Sequence, residues 1–388
     1  MRSVHRWLLI TLFNSAALQA SIYVVRPMIT YKALELNGTG KTVGLLGALY
    51  AILPVLVAVS FGKIVSRIGE RSFLIVGSIG VLSSSFLLSQ SNSLFTLGVL
   101  TAIAGVSHLA VMVGGQTMMA NRSTRETYDR DFGYYTFSAS FGQMFGPLLG
   151  GLIAGSNGVL PRSTSHAFIL ATAIAFIGLL PILFTRSLDV SIKDVIKESG
   201  QKIRVSEVMK HRGMKEAMFT SLVISTTIDI LTIFIPLLGT ELRITPVTVG
   251  VILGVRSAAS MLSRLFLGQL SQRFGSRSTL ITSTTIATFA LVAMYFSKSA
   301  FLLGLVIFVV GFTLGIGQPL TMAWVSRISE PRERAMAITL RLTGNRVGQF
   351  GLPIAAGVVA SSLGVGSLFL GLAGLVGITA SICRKNYG

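Results

Sequence analysis

The sequence predicts an all-α, polytopic membrane protein whose twelve transmembrane helices form two related halves. Two observations lead to this fold class: long apolar runs recur along the chain, and two unlike motifs return at one fixed distance. Of the 388 residues, 51% are hydrophobic and only 12% are charged, well below the roughly 25% charged residues of soluble domains. The apolar runs reach about 20 residues, the length that crosses a hydrocarbon core of about 30 Å.

The first repeated motif, the glycine–proline motif, is Gly142–Gly151 (GQMFGPLLGG) and, 206 positions later, Gly348–Gly357 (GQFGLPIAAG). Glycines four residues apart share one helix face, which allows a second helix to approach to backbone contact. A proline inside a helix removes one hydrogen-bond donor and bends the helix. The residues expected to matter for conformation are Gly142, Gly146, Pro147 and Gly150 in the first copy, and Gly348 and Pro353 in the second.

The second repeated motif, the inner-loop motif, is Gly62–Arg71 (GKIVSRIGER) and, again 206 positions later, Gly268–Arg277 (GQLSQRFGSR). Two unlike motifs at one distance predict a duplicated half. We expect an N-terminal half at residues 1–185, a cytoplasmic basic linker at 186–215 and a C-terminal half at 216–388. The residues that the two copies share are Gly62, Arg67, Gly69 and Arg71, and Gly268, Arg273, Gly275 and Arg277.

Six spans are predicted in the first half. Span 1 carries more polar side chains than a lipid-facing helix needs, so one of its faces is expected to meet protein or water. The predicted bounds are Trp7–Ile29, Thr42–Phe61, Ser72–Ser89, Leu94–Met119, Phe132–Gly155 and Ser165–Thr185.

The linker and six further spans follow. The linker, Arg186–Lys215, has apolar residues spaced as in a short amphipathic helix lying at the inner membrane surface; these are Val195, Ile196, Ile203, Val208 and Met209. The predicted bounds of spans 7 to 11 are Glu216–Leu238, Val247–Leu267, Ser278–Ser297, Ala300–Val325 and Ala335–Ala360, and span 12 ends near Cys383.

The formal net charge of +19 is distributed unevenly. Most Lys and Arg residues fall at the N-terminus, in alternate loops and at the C-terminus, which predicts that both termini lie in the cytoplasm. We therefore expect the basic loops to meet anionic lipid headgroups rather than nucleic acid. A single cysteine, Cys383, excludes an internal disulfide and a multi-cysteine metal site.

Over essentially its whole length the chain resembles a bacterial major facilitator superfamily transporter. Gly62–Arg71 resembles the family's signature between spans 2 and 3, usually Gly-x-Leu-Ala-Asp-Arg-x-Gly-Arg-Lys. Gly142–Gly151 resembles the signature of the exporter branch, the drug–proton antiporters, usually Gly-x-x-x-Gly-Pro-x-x-Gly-Gly. The resemblance implies that spans 1, 4, 7 and 10 line a central cavity and that spans 2, 5, 8 and 11 lie between halves related by a pseudo-twofold axis.

Three positions depart from the family's patterns. The usual Asp of the inner-loop signature is Ser66 here and Gln272 in the repeat, so the family's ionic latch on the cytoplasmic side is in question. The arginine that drug antiporters carry in span 4 is replaced by Thr101. The arginines of the inner-loop motif remain able to bind helix C-terminal carbonyls or lipid phosphates.

Asp229 is the one acid predicted to lie deep in a span, and we expect it to titrate and couple transport to protons. The alternative is a permanent Asp229–Arg pair that only fixes packing. The 206-residue repeat maps Asp229 onto Tyr23, which places Arg26 one turn above in the other half, so these two charges are hypothesised to approach each other. His108 in span 4 is a second candidate for the proton, with ordinary hydrogen-bonded packing as its alternative.

Arginines outnumber acids within the spans, which favours an anionic or zwitterionic substrate; pairing of some of them with helix ends or lipid phosphate is the alternative. The substrate-binding candidates are Arg26, Tyr23, Gln116, Arg256, Gln318, Arg341, Asn345 and Arg346.

The predicted function is secondary active transport of a small organic molecule by alternating access, with proton-coupled efflux as the favoured direction. Proton-coupled import or facilitated passage of an organic acid remains open, as does lipid scrambling or flipping. The chain has no phosphate loop of the form Gly-x-x-x-x-Gly-Lys-Ser/Thr and no His-Glu-x-x-His motif, so we expect neither enzymatic activity nor a cofactor or metal. The expected partners are the substrate, protons and membrane lipids, and the protein is expected to be a monomer.

Overall fold

A computed structural model describes residues 6–124, 127–185, 205–330 and 333–386. These residues form thirteen helices, in agreement with the predicted all-α class. The first six are α1 (Arg6–Glu35), α2 (Gly40–Ile68), α3 (Glu70–Ser89), α4 (Leu94–Arg122), α5 (Tyr128–Ala154) and α6 (Thr164–Leu183). The remaining seven are α7 (Val205–Val208), α8 (Met214–Glu241), α9 (Pro246–Phe274), α10 (Ser276–Phe296), α11 (Ala300–Ile328), α12 (Arg334–Leu363) and α13 (Val365–Asn386).

Predicted spans 1 to 6 correspond to α1 to α6, and spans 7 to 12 to α8 to α13. Several helices run past the predicted bounds; α1, for example, continues to Glu35 instead of ending at Ile29. Ten of the twelve long helices are long and apolar enough to cross a membrane by length and composition, counting only residues that the structure describes. The other two, α5 and α12, carry the glycine–proline motifs together with polar side chains.

The predicted amphipathic linker helix lies for the most part outside the described residues. From Val205 onward the chain forms the four-residue helix α7, and Val208 at its end is fully buried.

The described chain divides into two compact units whose bounds differ slightly from the predicted halves. Unit 1 holds the residues before Thr39, those from Leu49 through α6, and the segment Arg243–Gly254. Unit 2 holds Thr39–Ala48, the residues from α7 to Leu242, and those from Val255 onward. In unit 1, α1 packs on α5 and α6, and α3 on α4 and α6; in unit 2, α8 packs on α11, α12 and α13, and α10 on α11 and α13.

Backbone geometry repeats with the same 206-residue spacing as the motifs. Gly69 and Gly275 both have positive φ angles, 82° and 77°, which glycine adopts without the steric penalty of a Cβ atom. Two non-glycine residues in the left-handed region, Asn37 (φ 60°) and Arg243 (φ 56°), are also 206 positions apart. The duplication inferred from two motifs is thus present in the conformation of the loops.

A carboxylate contact at the ends of span 1 and span 7 repeats as well. Glu35 accepts a hydrogen bond from the Thr164 hydroxyl at 2.9 Å, at the start of α6. Its counterpart Glu241 accepts one from the backbone N–H of Val365 at 3.3 Å, at the start of α13. A carboxylate therefore lies at the N-terminus of the corresponding helix in each half, where the helix dipole favours negative charge.

The glycine face of span 5 packs against α1. A Cβ atom at Gly142 would lie 2.2 Å from the carbonyl oxygen of Ala16, and one at Gly146 would lie 2.6 Å from that of Ala20. At Gly150 the nearest atom is the Val24 side chain at 3.2 Å. The two helices therefore meet at backbone distance along one glycine face.

A glycine of another helix also packs closely against the proline of each glycine–proline motif. In unit 1, a Cβ atom at Gly250 would lie 2.4 Å from the Pro147 carbonyl oxygen; in unit 2, one at Gly44 would lie 2.3 Å from that of Pro353. Both pairs obey the 206-residue repeat, so each unit holds an equivalent close approach of a span 2 or span 8 segment to a proline.

Candidate functional site

Unit 1 contains a buried polar chain that starts on α1. The Gln19 side-chain amide N lies 3.2 Å from Nε2 of His108, and Nδ1 of His108 lies 2.8 Å from the Tyr50 hydroxyl. Gln143 on α5 donates to Oε1 of Gln19 at 3.4 Å. Four helices, α1, α2, α4 and α5, thus contribute one side chain each to a continuous network.

The geometry of this network fits a neutral imidazole. The Gln19 amide nitrogen can only donate, so Nε2 of His108 accepts, and Nδ1 therefore carries the proton and donates to Tyr50. A proton added to Nε2 would face the Gln19 N–H group. Protonation of His108 then requires the Gln19 amide to turn, which also changes its bond to Gln143.

Arg26 lies beside this network. Its guanidinium carbon is 5.0 Å from the centroid of the Tyr50 ring and 5.9 Å from that of Tyr23, within cation–π range. Arg26 and Tyr23 are each only 7% exposed. Three sequence-predicted residues, Arg26, Tyr23 and His108, are therefore brought together around Tyr50.

Unit 2 contains a polar stripe along α8, formed by Ser221, Ser225 and Asp229 at intervals of four residues, which place them on one helix face. Ser221 accepts a hydrogen bond from Nη1 of Arg341 at 2.7 Å, and Ser225 accepts one from the Gln349 amide at 3.1 Å. Asp229, which is half-buried, continues the same stripe.

Arg341 on α12 is the buried cation that contacts this stripe, with 4% of its surface exposed. Its Nη1 atom also lies 3.3 Å from the Gln318 side-chain oxygen and 3.3 Å from the Thr321 hydroxyl, both on α11. All three contacts are to neutral oxygen atoms. Among the described residues its Nε atom has no hydrogen-bond partner, so the guanidinium retains a donor for an anion.

Two further candidates follow Arg341 on α12. Asn345, one turn away and 5% exposed, has a side-chain oxygen without a hydrogen-bond partner among the described residues. Arg346 is half-buried and donates to the side-chain oxygen of Gln349 at 2.9 Å. Five of the sequence-predicted residues therefore belong to one region of unit 2: Asp229, Gln318, Arg341, Asn345 and Arg346.

Arg256 and Gln116 are the two remaining candidates. Arg256 is buried on α9, where it donates to Ser257 at 3.1 Å; a Cβ atom at Gly311 on α11 would lie 2.4 Å from its carbonyl oxygen. Gln116 is exposed on α4, two turns beyond His108.

The inner-loop motif binds helix C-termini through its last arginine. Arg71 donates to the carbonyl oxygen of Leu183 at the end of α6 at 2.6 Å. Arg277, its counterpart, donates to the carbonyl oxygen of Arg384 near the end of α13. The sequence left two contacts open for these arginines, helix C-terminal carbonyls and lipid phosphates. Arg71 and Arg277 both contact carbonyls, where a cation stabilises the C-terminus of a helix. Arg67 and Arg273 are exposed.

A buried ion pair stands next to the same motif. Glu70, which follows Gly69, accepts hydrogen bonds from Arg122 at 3.1 Å and from Asn121 at 3.3 Å, both at the end of α4. The side chains of Glu70 and Arg122 are 3% and 6% exposed. In the repeat, Ser276 occupies the position of Glu70 and accepts a bond from Arg327 at 2.9 Å.

Sequence reasoning missed the hydroxyl groups of the stripe and the Glu70–Arg122 pair. The spacing Ser221, Ser225, Asp229 on one face of a span was the available signal for the first. The second had only a weak signal, because an acid and a base at predicted loop ends are usually solvated.

Comparison with known proteins shows one matching family and several relatives. The family model described as "Major Facilitator Superfamily" matches residues 11–216 and 217–384. "Multidrug resistance protein MdtG" of Salmonella paratyphi C (strain RKS4594) is 23% identical over 368 residues, covering 92% of this chain and 89% of that protein. "Multidrug resistance protein 1" of Bacillus subtilis (strain 168) is 29% identical over 140 residues, 36% of either chain.

Two solved structures share the fold at low identity. The nucleoside transporter NupG, in its D323A form, superposes with a TM-score of 0.80 at 15% identity, covering 97% of this chain and 99% of its own. The D-xylose-proton symporter superposes with a TM-score of 0.79 at 12% identity, covering 99% and 98%.

Proposed function

This chain belongs to the Major Facilitator Superfamily and is a multi-pass membrane transporter, not an enzyme, and we propose that it exports a small anionic or zwitterionic organic molecule in exchange for protons. We place it in the bacterial cytoplasmic membrane with both termini on the cytoplasmic side. The two halves, residues 1–185 and 216–388, would alternate access by rocking.

The observation that carries the substrate class is the environment of Arg341. A buried cation is costly unless it is paired, and within the described part of the chain its three contacts, to Ser221, Gln318 and Thr321, are all to neutral oxygens. A carboxylate or phosphate of the substrate would supply the missing negative charge and accept the unused Nε–H group. Asn345 and Arg346 on the same helix extend this polar surface.

Export is supported by the glycine–proline motif on span 5, which has the form of the exporter signature. It is also supported by two relatives whose names describe multidrug resistance. The close contacts of Gly142 and Gly146 with α1 and the repeated glycine–proline approaches would act as rigid seams along which helices move together.

Proton coupling is assigned to Asp229, with His108 as the second site. Asp229 lies on the same face of α8 as Ser221, the residue that Arg341 contacts, but two turns farther along the helix, so the anion and the proton would bind at separate positions. Exchange requires that substrate binding lowers the proton affinity of Asp229, and the approach of an arginine does this because it lowers the free energy of the charged carboxylate. Arg26, equivalent in register to a position one turn above Asp229, is proposed as the arginine that replaces the proton.

The direct test is transport into everted membrane vesicles with an acidic lumen. We expect the wild type to accumulate members of a panel of radiolabelled organic anions. Arg341→Met should abolish this accumulation, because it removes the charge and keeps the volume. Arg327→Met is the matched control: it removes another hydrogen-bonded arginine, outside the stripe, and should retain transport.

Two outcomes would overturn parts of this proposal. Uptake of cationic drugs but not anions, unaffected by Arg341→Met, would refute the anionic substrate class. Accumulation only in right-side-out vesicles in acidic medium would identify a proton-coupled importer instead, a rival that the arginine site accommodates equally well.

A further inference from the structure

A groove in unit 2 lies outside the polar stripe of α8 that Arg341 contacts. It has a volume of about 290 Å³ and lies between the end of α9 and the helices α10 and α11. Leu270, Phe274, Thr279, Ile286, Phe312 and Ile316 are among its lining residues. Its volume is just below the range of small-molecule sites, about 300–1,000 Å³.

The 206-residue repeat explains why the space is open. The position of Thr279 corresponds to Phe73 in the first half, whose ring is 3% exposed and packs edge-on against Phe61 with ring centroids 5.0 Å apart. Val65 and Ala110 pack on the same ring. The Phe73 ring therefore occupies a space in unit 1 that the smaller Thr279 side chain leaves open in unit 2.

The wall of the groove is apolar despite its hydroxyl groups. Thr279 donates its hydroxyl proton to the Gly275 carbonyl at 2.8 Å, Ser283 to Leu280 at 3.0 Å, and Thr313 to Val309 at 2.8 Å. With these donors used on their own helices, the side chains present methyl and methylene groups. Such a cavity excludes water and takes up hydrocarbon.

The groove opens on a face that carries exposed apolar side chains. Phe274 and Ile286 at its rim are 58% and 43% exposed, and Phe289 and Phe296 farther along α10 are 71% and 63% exposed. In a membrane protein such a surface meets lipid tails, so the material adjoining the groove is acyl chain.

A cation stands at the mouth of the groove. The guanidinium carbon of Arg273 lies 5.5 Å from the centroid of the Phe274 ring, and its side chain is exposed. Arg277, one turn farther on, is instead bound to the Arg384 carbonyl. An apolar groove next to an exposed guanidinium matches an amphipathic anion with its charge at the membrane surface.

We propose that this groove binds one acyl chain of an anionic phospholipid, whose phosphate contacts Arg273. The bound chain fills the space that Phe73 fills in the other half. The site is separate from the proposed transport stripe and does not depend on the substrate or on the direction of transport.

The proposal can be tested by native mass spectrometry of the full-length protein with equal amounts of phosphatidylglycerol and phosphatidylcholine of identical chains. We expect the wild type to retain phosphatidylglycerol about fivefold over phosphatidylcholine, the ratio given by about 1 kcal/mol for one basic group near a lipid phosphate. Thr279→Phe should lose the retained lipid, and Arg273→Gln should bring the ratio to about one.

Matched controls come from the chain itself. Arg67→Gln removes the equivalent arginine beside the filled site of unit 1, and Thr285→Phe adds the same ring on α10 away from the groove; both should behave as the wild type. Retention by Thr279→Phe equal to that of Thr285→Phe would overturn the proposal, as would an equal loss of selectivity in Arg67→Gln and Arg273→Gln.

A second measurement does not depend on the Thr279→Phe variant. In a protein with Cys383→Ser and Ile286→Cys, a bimane label on the new cysteine reports contact with chain-brominated lipids. Stronger quenching by brominated phosphatidylglycerol than by brominated phosphatidylcholine, removed by Arg273→Gln, supports the site. Equal quenching by the two lipids contradicts it, whether or not Thr279→Phe folds.

Discussion

Alanine substitutions at the two equivalent glycines Gly142 and Gly348 should differ sharply in their effect on stability. A Cβ atom at Gly142 would meet backbone atoms of α1, at 2.2 Å from the Ala16 carbonyl oxygen and 2.7 Å from the Ala20 nitrogen. Ordinary contacts need about 3.5–4.0 Å, so the two helix backbones must separate by more than about 1 Å.

At Gly348 the added Cβ atom meets side chains instead. The nearest atoms are in Leu222 and the Thr226 hydroxyl, all at 2.6 Å, and rotation of these side chains relieves part of the clash. Overpacking costs typically about 1–3 kcal/mol. We therefore expect Gly142→Ala to lower the free energy of unfolding by about 3 kcal/mol and Gly348→Ala to lower it by about 1 kcal/mol.

The assay is thermal unfolding of the purified variants in one detergent, with Gly344→Ala as control. A Cβ atom at Gly344 has open space around it, and alanine is the better helix former by about 1 kcal/mol, so this variant should be as stable as the wild type or more so. Equal midpoints for Gly142→Ala and Gly348→Ala, or a stable Gly142→Ala, would refute the backbone seam.

Three further predictions follow from buried charges and topology. Arg341→Met should weaken anion binding by about 30-fold or more without lowering the melting temperature, because a substrate contact is lost while an unneutralised buried cation is removed; a parallel loss of stability would mean a structural role. Glu70→Gln should destabilise by about 3–5 kcal/mol in thermal or denaturant unfolding, because it breaks the buried Glu70–Arg122 ion pair, and adding Arg122→Met should restore most of the loss. Reporter fusions at either terminus should be active only as cytoplasmic reporters, and periplasmic reporter activity at the C-terminus would contradict the charge asymmetry.

The sequence predicted the fold because its signals are strong in a membrane. Lipid forces each span to satisfy its own backbone hydrogen bonds, so long apolar runs report helices directly, and the 206-residue repeat reports the halves. Helix ends were less well predicted. The end of α1 was placed at Ile29, where the apolar run stops, but the helix continues to Glu35, whose carboxylate contacts Thr164.

The candidate site could be predicted only in part. The charges Asp229 and Arg341 stand out because ionisable groups in spans are rare. Their neutral partners, such as Ser221 and Gln318, do not, since hydroxyl and amide groups in spans also bond to their own helices. Which residue of one helix faces which of the next depends on helix rotation, and the groove beside Thr279 becomes evident only when its structure is compared with that of Phe73.

The measurement that tests the central claim most directly is proton release from the purified protein as candidate organic anions are added, followed with a pH-indicator dye. We predict that an anion which is transported displaces protons from the wild type and from His108→Gln, but not from Asp229→Asn. Proton release by Asp229→Asn equal to that of the wild type would contradict the assignment of Asp229 as the coupling site. Its loss in His108→Gln alone would move that role to the network of Gln19, His108 and Tyr50.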